Sequence, residues 1–258
     1  MKKVNNGEYA VITGASSGIG REIALVLDGI GYNTVLVARR EERLRELKGR
    51  MKNKSEIICA DLSKENDCAR VSEQTEKMNV QVLINCAGFG AVGEFAELSL
   101  ENELSMIDVN IRAVHILTKL FLRRFKERDS GYIMNVSSCA GLLPGGPLMA
   151  TYYATKAYVC SLTESISAEL REQKSGVSVS SLCPGPVDTE FNSVAGAGVG
   201  MKGITPKECA EYAVMEMLSG KTTIIPPGIM KAACKASKLV PAKLTLSVIS
   251  KYQNMKLN

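Results

Sequence analysis

The sequence predicts an α/β protein built on one doubly wound sheet, and two patterns along the chain support that prediction. Short apolar runs rich in β-branched residues alternate with longer stretches of helical periodicity, as expected when each strand is followed by a helix. The runs are continuously apolar, which is typical of parallel strands covered by helices on both faces. Neither an internal repeat nor a dividing linker interrupts the alternation, so residues 1–258 are predicted to form a single domain.

The apolar runs predict strands at residues 9–13, 34–38, 56–60, 80–85, 132–137, 177–183 and 222–225. Between them, apolar periodicity predicts helices at residues 19–28, 41–50, 64–78, 101–126, 152–174 and 206–218. The last helix has a clear start, because Thr205 and Glu208 are spaced as a capping box and Pro206 takes the first helical position.

Two segments do not follow the alternation. Residues 190–204 contain four glycines and little periodicity, and a loop of this kind after a strand is typical of a lid over a site. With the helix that follows, residues 190–220 are therefore predicted to form a substrate lid, and an ordinary surface loop is the alternative. Residues 226–258 form a basic C-terminal extension.

The net charge of +5 is concentrated at one end of the chain. Residues 221–258 contain seven lysines and no acidic residue, a charge of +7 that leaves −2 for the first 220 residues. A nearly neutral body argues against nucleic-acid binding.

In the basic segment, apolar residues are interleaved with lysines, and Pro241 divides it into two short helices. We interpret it as a cover over the substrate cleft or a subunit contact. Contact with anionic lipid and attraction of acidic substrates stay open as alternatives.

The cysteines, the histidine and the N-terminus limit the chemistry and the compartment. The eight cysteines include no C-x-x-C pair, and no apolar run follows Lys2 and Lys3 as it would in a secretory signal. We therefore expect reduced, mostly buried thiols and a cytoplasmic protein. The single histidine, His115, excludes a multi-histidine metal site, and we expect no metal. His115 itself is expected to be a satisfied residue on a partly buried helix.

A glycine-rich turn joins the first predicted strand to the first helix and reads Thr13-Gly14-Ala15-Ser16-Ser17-Gly18-Ile19-Gly20. Glycines at such a turn let the backbone approach a pyrophosphate, and the helix N-terminus supplies N–H donors. The spacing is G-x-x-x-G-x-G rather than G-x-G-x-x-G, so a tight turn without a ligand is the alternative.

Two arginines, Arg39 and Arg40, follow the second predicted strand. Sites that prefer NAD place a carboxylate there against the ribose 2′-hydroxyl, whereas an arginine can bind a 2′-phosphate in bidentate fashion. We therefore predict that Arg39 binds the 2′-phosphate of NADP(H), with Arg21 as a second positive charge. Alternatively, Arg39, Arg40 and Arg43 belong to the solvated face of a charged helix.

Tyr152 and Lys156 stand four residues apart on a predicted helix, so both project from one face. A free tyrosine has a pKa near 10, and a nearby ammonium can draw that pKa toward neutrality. Tyr152 could then protonate a carbonyl oxygen or deprotonate an alcohol. Alone, this pair is a weak signal.

Taken together, the motifs resemble the classical short-chain dehydrogenase/reductase (SDR) family over almost the whole chain. The matching segments are Thr13–Gly20, Asp61-Leu62, Asn85-Cys86-Ala87-Gly88, Asn110, Asn135-Val136-Ser137-Ser138, Tyr152–Lys156 and Pro184-Gly185. The resemblance implies a Rossmann-type, seven-stranded parallel sheet and hydride transfer between a nicotinamide cofactor and an alcohol/carbonyl pair. It also implies a homo-oligomer, a dimer or tetramer, built on the helices that carry Asn110 and Tyr152.

The resemblance further implies roles for single residues. Tyr152 is expected to be the general acid/base, and Lys156 to lower its pKa and hold the nicotinamide ribose. Ser138 is expected to hydrogen-bond the substrate oxygen, and Asn110 to bind a water that links Lys156 to a proton relay.

For the cofactor, Asp61 and Leu62 resemble the adenine contacts, and Asn85 and Gly88 the ribose side of the cleft. Pro184-Gly185 and Thr189 resemble the segment that holds the nicotinamide carboxamide. The predicted cofactor-binding residues are Gly14, Ser16, Ser17, Gly18, Ile19, Gly20, Arg39, Asp61, Leu62, Asn85, Ala87, Gly88, Tyr152, Lys156, Pro184, Gly185, Val187 and Thr189.

Three departures from the family pattern bear on the site. Cys86 replaces the second asparagine of Asn-Asn-Ala-Gly, which weakens the structural argument for that loop. Ser138 and Tyr152 are 14 residues apart where many members have 13, and we place the extra residue within residues 143–149. Tyr153 is a second tyrosine, but only Tyr152 has the four-residue spacing to Lys156. Cys139, beside Ser138, is expected to be a small buried residue.

These features predict an NADP(H)-dependent oxidoreductase that works most often as a ketone or aldehyde reductase. A 3-oxoacyl thioester, a steroid, a sugar and a small ketone all stay open as substrates. The alternatives are an NADP(H)-binding regulatory protein and a peripheral-membrane reductase of lipid-derived carbonyls.

Overall fold

A parallel sheet of seven strands organises the computed structural model, which describes residues 4, 7–191, 195–196 and 203–254. The strands are β1 (Tyr9–Thr13), β2 (Asn33–Ala38), β3 (Ser55–Cys59), β4 (Val80–Asn85), β5 (Gly131–Val136), β6 (Val177–Leu182) and β7 (Thr223–Ile224). They lie in the order β3-β2-β1-β4-β5-β6-β7, and each neighbouring pair is parallel. The strand order reverses between β1 and β4, which is where doubly wound sheets form their ligand crevice.

The helices follow the predicted alternation. They are α1 (Gly18–Gly29), α2 (Glu41–Lys48), α3 (Glu65–Gln74), α4 (Leu100–Ile107), α5 (Val114–Glu127), α6 (Ala150–Glu172), α7 (Pro206–Leu218), α8 (Ile229–Ala236) and α9 (Ala242–Asn254). The predicted capping box is present, with Thr205 Oγ1 accepting from Glu208 N and the Glu208 carboxylate accepting from Thr205 N. Pro241 separates α8 from α9, as the sequence predicts.

The predicted long helix over residues 101–126 is interrupted. One turn of π-helix, Asp108–Ala113, separates α4 from α5 and carries the fully buried side chain of Asn110. The Asn110 carboxamide binds the Phe89 backbone on both sides, accepting from its N–H at 3.1 Å and donating to its carbonyl at 2.9 Å. Such turns are common at functional sites because they redirect one side chain without ending the helix.

The core lies on both faces of the sheet, which explains why the strands are apolar throughout. Ile12 of β1 packs in the cluster beneath α1 and α7, whereas its neighbour Val11 packs in the cluster beneath α3, α5 and α6. Phe121 and Phe125 are the largest side chains of the second cluster and are fully buried. Each such side chain contributes roughly 1.5–3 kcal/mol by leaving water. The two clusters hold the carboxyl ends of the strands at one edge of the sheet.

No helix in the described part of the chain is long and apolar enough to cross a bilayer. In the predicted lid, residues 192–194 and 197–202 lie outside the described residues, so the lid stays a prediction.

Candidate active site

A cavity of about 770 Å³ opens at the carboxyl edge of the sheet. Its wall runs from the glycine turn after β1 past Ser138, Tyr152 and Lys156 to the C-terminal helices α8 and α9. All the predicted site residues line this cavity except Asn85 and Asn110. The fold therefore brings together residues that are up to 175 positions apart in the predicted set, from Gly14 to Thr189.

The two exceptions lie behind the wall. Asn85 is buried at the end of β4, where its Nδ2 donates to Asn135 at 2.9 Å and Thr118 at 3.1 Å. Its side chain thus ties β4 to β5 and α5 rather than lining the adenine ribose side of the cleft. Asn110 lies directly behind Gly88, since a Cβ on that glycine would sit 2.9 Å from Asn110 Oδ1. The same Cβ would be 3.3 Å from Lys156 Nζ, so Asn110 and Lys156 flank one glycine.

The glycine turn is shaped for close approach of a ligand. Gly14 has a φ of +67° and lies so close to the next loop that a Cβ would be 2.8 Å from Ala87 N. Thr13 holds that loop, because its Oγ1 accepts from Cys86 N at 2.9 Å and Ala87 N at 3.1 Å. Thr13 therefore holds this loop through its backbone, by contacts that do not depend on the side chain at position 86.

The first turn of α1 fits a phosphate group. Ser17 is the N-cap residue, yet its side chain makes no capping hydrogen bond to the helix. The N-terminal amides of α1 are therefore not capped by Ser17, and helix N-termini of this kind bind anions. Glycine backbone, uncapped amides and a large cavity together fit the pyrophosphate of a dinucleotide. A bound nicotinamide cofactor would lie against residues Gly14 to Gly20.

Two arginines border the cavity next to this turn. Arg40 lies over the turn, with its guanidinium donating to Ser17 Oγ at 2.8 Å and to Ser16 Oγ at 3.2 Å. Arg40 and Arg43 also pair with Glu190, which lowers the pKa of that carboxyl, with Arg43 as the larger cause. Arg39 lines the cavity, and within the described residues its side chain has no ion pair or hydrogen bond. Sequence reasoning missed the contact of Arg40, because the serines and Glu190 reach it only in the folded chain.

The catalytic candidates lie on two neighbouring elements. Ser138 follows β5 and caps a short 3₁₀ helix, Cys139–Leu142, by accepting from Ala140 N at 3.1 Å. Tyr152 and Lys156 are in the first two turns of α6 and are buried, at 9% and 6% exposure. Lys156 Nζ donates to the Val136 carbonyl at 2.9 Å and lies 5.8 Å from the centre of the Tyr152 ring.

Burial controls the titration of this pair. It raises the pKa of Tyr152 to about 12, and a hydrogen bond with Ser138 opposes the rise. It lowers the pKa of Lys156 to about 8. Lys156 is not among the causes of this rise, and its Nζ donates to the Val136 carbonyl; the lowering of the Tyr152 pKa by Lys156 therefore stays a prediction.

The other end of the cavity is apolar, and part of its wall comes from the basic C-terminal segment, for which a cover over the substrate cleft was one of the two interpretations from the sequence. Its lining includes Leu143, Met149, Phe191, Val240, Leu244, Val248 and Ile249. The Phe191 and Tyr152 rings lie 5.3 Å apart, and Leu148, in the loop where we predict the extra residue, has a φ of +64°. The only sequence signal for this surface is the apolar pattern of the basic extension.

The remaining sequence expectations concern His115, Arg21, Cys139 and metal. His115 lies on the exposed face of the partly buried helix α5 and has a hydrogen-bond partner, as expected, because its Nδ1 is 2.7 Å from Tyr158 Oη. Arg21 does not line the cavity. Cys139 is buried as predicted, and its thiol donates to the Cys183 carbonyl at 3.3 Å. Among the described residues, no cluster of three or more His, Cys, Asp or Glu is arranged for a metal.

Comparison of the sequence with known protein families shows to which family the chain belongs. The short chain dehydrogenase model matches residues 8–199, which include the glycine turn, Ser138, Tyr152 and Lys156. The chain belongs to the short-chain dehydrogenase family. This membership, and a seven-stranded sheet flanked by helices, confirm the predicted family and fold.

Relatives of this short-chain dehydrogenase include oxidoreductases of several kinds. An uncharacterized oxidoreductase of Staphylococcus epidermidis is 35% identical over 191 residues, 73% of this chain and 81% of the relative. The 17-beta-hydroxysteroid dehydrogenase type 3 of Rattus norvegicus is 33% identical over 190 residues, 71% of this chain and 61% of the relative. A short-chain dehydrogenase from Sphingobium yanoikuyae, solved in complex with NADPH, is 30% identical with a TM-score of 0.81, covering 93% of this chain and 95% of that one.

Proposed function

We propose that this oxidoreductase is an NADP(H)-dependent carbonyl reductase that converts a ketone or aldehyde into an alcohol. The observation that carries the proposal is the cavity, whose wall holds Ser138, Tyr152 and Lys156 together with the glycine turn. These are the groups that carbonyl reduction needs beside a hydride source: a donor to the substrate oxygen, an acid and a cation. The proposed substrates belong to one of three classes: 3-oxoacyl thioesters, steroid-like ketones and small carbonyl compounds.

The protonation state of Tyr152 fits the role of an acid in carbonyl reduction. With a pKa raised to about 12 by burial, the phenol carries its proton at neutral pH. A protonated phenol can act as the acid that a carbonyl oxygen requires as it becomes an alcohol.

The residues then have distinct roles. When bound, NADPH supplies the hydride that reduces the carbonyl carbon. Ser138 donates a hydrogen bond to the carbonyl oxygen, and Tyr152 transfers its phenolic proton to that oxygen, so the product is the neutral alcohol. Lys156, 5.8 Å from the centre of the ring, supplies positive charge that stabilises the remaining phenolate. Asn110 holds the Phe89 backbone, which keeps the wall at Gly88 in place.

The arginines at the end of β2 support NADP(H) over NAD(H). Arg39 lines the cavity without a side-chain partner in the described chain, and Arg40 covers the two serines of the turn. Two guanidinium groups beside the glycine turn suit a 2′-phosphate, which arginine binds in bidentate fashion.

A substrate and cofactor panel tests the proposal. Consumption of NADPH and of NADH is followed with ketones and aldehydes of the three classes. We expect turnover with at least one class and a kcat/KM at least about tenfold higher with NADPH than with NADH. Equal use of both cofactors would contradict the NADP(H) assignment.

A regulatory protein that senses NADP(H) is the alternative from another class. It would use the glycine turn and Arg39 but would have no need for Ser138, Tyr152 and Lys156 in one cavity. Their common placement favours the enzyme. NADPH-dependent binding of a protein partner with no turnover on any carbonyl would favour the regulator instead.

Exposed apolar side chains of the C-terminal helices, two of them at the open mouth of the cavity, support a second candidate, a peripheral-membrane reductase of lipid-derived carbonyls. Leu239, Leu244 and Val248 are 90%, 60% and 68% exposed, and the segment carries lysines without acidic residues. Apolar side chains between lysines suit an anionic bilayer surface. Flotation with phosphatidylserine vesicles tests this: the full chain should float, and Leu244→Asp with Val248→Asp should abolish it. Failure to float, or concentration-dependent self-association without vesicles, would contradict lipid contact.

The compartment and the assembly remain part of the proposal. All eight cysteines are free thiols, and six of them are buried, which fits the reducing cytoplasm. A homo-oligomer, dimer or tetramer, is expected from the family. Light scattering on the purified chain tests this, and a monomer at micromolar concentration would contradict it.

A further inference from the structure

Gln253, in the last turn of α9, places a buried carboxamide in the apolar part of the cavity. The side chain is 1% exposed and lines the same cavity as Tyr152 and Ser138. Its Nε2 donates to Tyr153 Oη at 3.0 Å. Its Oε1 has no hydrogen-bond partner within the described residues. A buried amide oxygen without a partner is unfavourable, and such groups in native cavities call for an explanation.

Tyr153 fixes the carboxamide in the cavity. The Tyr153 ring lies 6.3 Å from the Tyr152 ring in an edge-on arrangement, and Gly146 closes against its other side. A Cβ at Gly146 would sit 2.2 Å from Tyr153 Cε2, so the ring fills the space that a larger residue would need. The second tyrosine, which plays no part in the proton transfer, thereby positions Gln253 from the neighbouring helix.

The surroundings of Gln253 define what could approach its free oxygen. Ile249 lies one turn earlier on α9, and Leu143, Met149, Val248 and Leu244 also line the cavity. Such a lining binds an apolar body, and a single oriented polar group then selects for one matching group on the ligand. An amide carbonyl accepts hydrogen bonds, so the matching group is a donor.

We infer that Gln253 is a specificity-determining residue that accepts a hydrogen bond from a hydroxyl or amide N–H of a mainly apolar carbonyl substrate. This donor is a second group of the substrate, distinct from the carbonyl that Tyr152 and Ser138 are proposed to contact. This inference rests on the proposed reductase function and narrows its substrate class. A hydroxyketone and an amide-bearing thioester both carry a hydrogen-bond donor beside a carbonyl, and the experiment distinguishes between them.

The experiment compares matched substrates that differ only in the donor. One series is of methyl ketones of increasing chain length that end in a hydroxyl, paired with the same ketones ending in a methyl ether. The other pairs oxoacyl thioesters having a secondary amide with thioesters having an N-methylated amide. For each pair, the ratio of kcat/KM with NADPH is measured for the wild type, Gln253→Met and Gln173→Met. Gln173 is an exposed residue after the end of α6 and serves as the control.

We expect the wild type and Gln173→Met to prefer the donor in at least one series by about tenfold or more. Gln253→Met should bring that ratio to about one, mainly by lowering kcat/KM for the member that carries the donor. Tyr153→Phe should lower the ratio part of the way. General damage to the fold would lower both members of a pair equally and leave the ratio unchanged. The series that responds identifies a hydroxyl or an amide N–H as the donor.

A ratio near one for the wild type at every chain length, or a ratio that Gln253→Met retains, would overturn the inference. Binding is measured in parallel, as the thermal shift that each pair member causes in the Tyr152→Phe protein with NADPH. If the wild type reduces none of the substrates, the proposed reductase function fails. The thermal shifts still measure whether the protein binds the donor-bearing compound more tightly than its methylated partner. Equal shifts for both members would then reject the role of Gln253.

Discussion

The guanidinium of Arg40 is shared between Ser17 Oγ, at 2.8 Å, and the Glu190 carboxylate, at 3.0 Å. Arg40 therefore joins the glycine turn to the start of the predicted lid. Glu190 also pairs with Arg43, so one carboxylate binds two arginines, of which Arg40 lines the cavity. In the proposed function, a 2′-phosphate would compete with this carboxylate for the same guanidinium groups.

Glu190→Gln should therefore tighten NADPH binding. The three side chains are 43–44% exposed, which limits the effect of the ion pairs through solvent screening. We expect the Kd for NADPH to fall about two- to fivefold with little change for NADH. Glu41→Gln, which breaks an exposed pair with Arg45 on α2, is the matched control and should change neither. Weaker NADPH binding by Glu190→Gln in titration calorimetry would indicate that Glu190 positions Arg40 instead.

Arg39→Ala should discriminate between the cofactors. Because Arg39 lines the cavity without a side-chain partner in the described chain, its removal breaks no side-chain hydrogen bond or ion pair there. Loss of a charge-assisted contact to a 2′-phosphate should raise the Kd for NADPH by about tenfold or more and leave NADH unchanged. Arg21→Ala is the control, since Arg21 lies beside the same turn but does not line the cavity. Equal losses for NADPH and NADH would remove the argument for phosphate recognition.

Lys156 makes the stability depend on pH in a defined direction. Burial lowers its pKa from 10.5 to about 8, so between these values the unfolded chain binds more protons than the folded one. The contribution of Lys156 to the free energy of unfolding therefore rises with pH across this window. Below about pH 8, the buried ammonium is at its most unfavourable.

Lys156→Met should accordingly raise the melting temperature of the cofactor-free protein at pH 7. The gain in free energy of unfolding is expected at about 1–3 kcal/mol, reduced by loss of the hydrogen bond to Val136. The gain should shrink as pH rises toward 10.5, where the lysine is neutral in both states. Melts of both proteins across this range measure the difference. A difference that does not vary with pH would contradict the lowered pKa.

Thr13→Val should destabilise the turn that the cofactor is proposed to contact. Thr13 Oγ1 accepts from two backbone N–H groups, of Cys86 and Ala87, and donates to the Ile84 carbonyl. Their loss should lower the free energy of unfolding by about 2–4 kcal/mol. Thr34→Val is the comparison and should cost less, because within the described residues Thr34 makes one side-chain hydrogen bond, to Ser55. Chemical denaturation compares the two, and equal losses would show that Thr13 has no special role.

The fold was predictable because its signals are local. Continuous apolar runs mark strands covered on both faces, and the capping box at Thr205 marks the start of α7 within one residue. The glycine turn and the spacing of Tyr152 and Lys156 are likewise local, and the fold places both at one cavity.

Contacts between distant parts of the chain were not predictable in the same way. The partners of Arg40 lie 23, 24 and 150 residues away, and Gln253 is 100 residues from Tyr153. The Lys156 amine is directed to a carbonyl of β5 rather than to Tyr152, which depends on packing between β5 and α6. The hydrogen bonds of Asn85 could not be predicted for the same reason, since its buried partners come from β5 and α5.

The most direct test of the account is the reductase activity of Tyr152→Phe. The variant keeps the ring and its contact with Phe191 but lacks the proton that the proposed reaction transfers. With a carbonyl substrate that the wild type reduces, kcat should fall by about 10²-fold or more while the Kd for NADPH stays within about twofold. Turnover close to that of the wild type, with NADPH binding intact, would contradict Tyr152 as the acid.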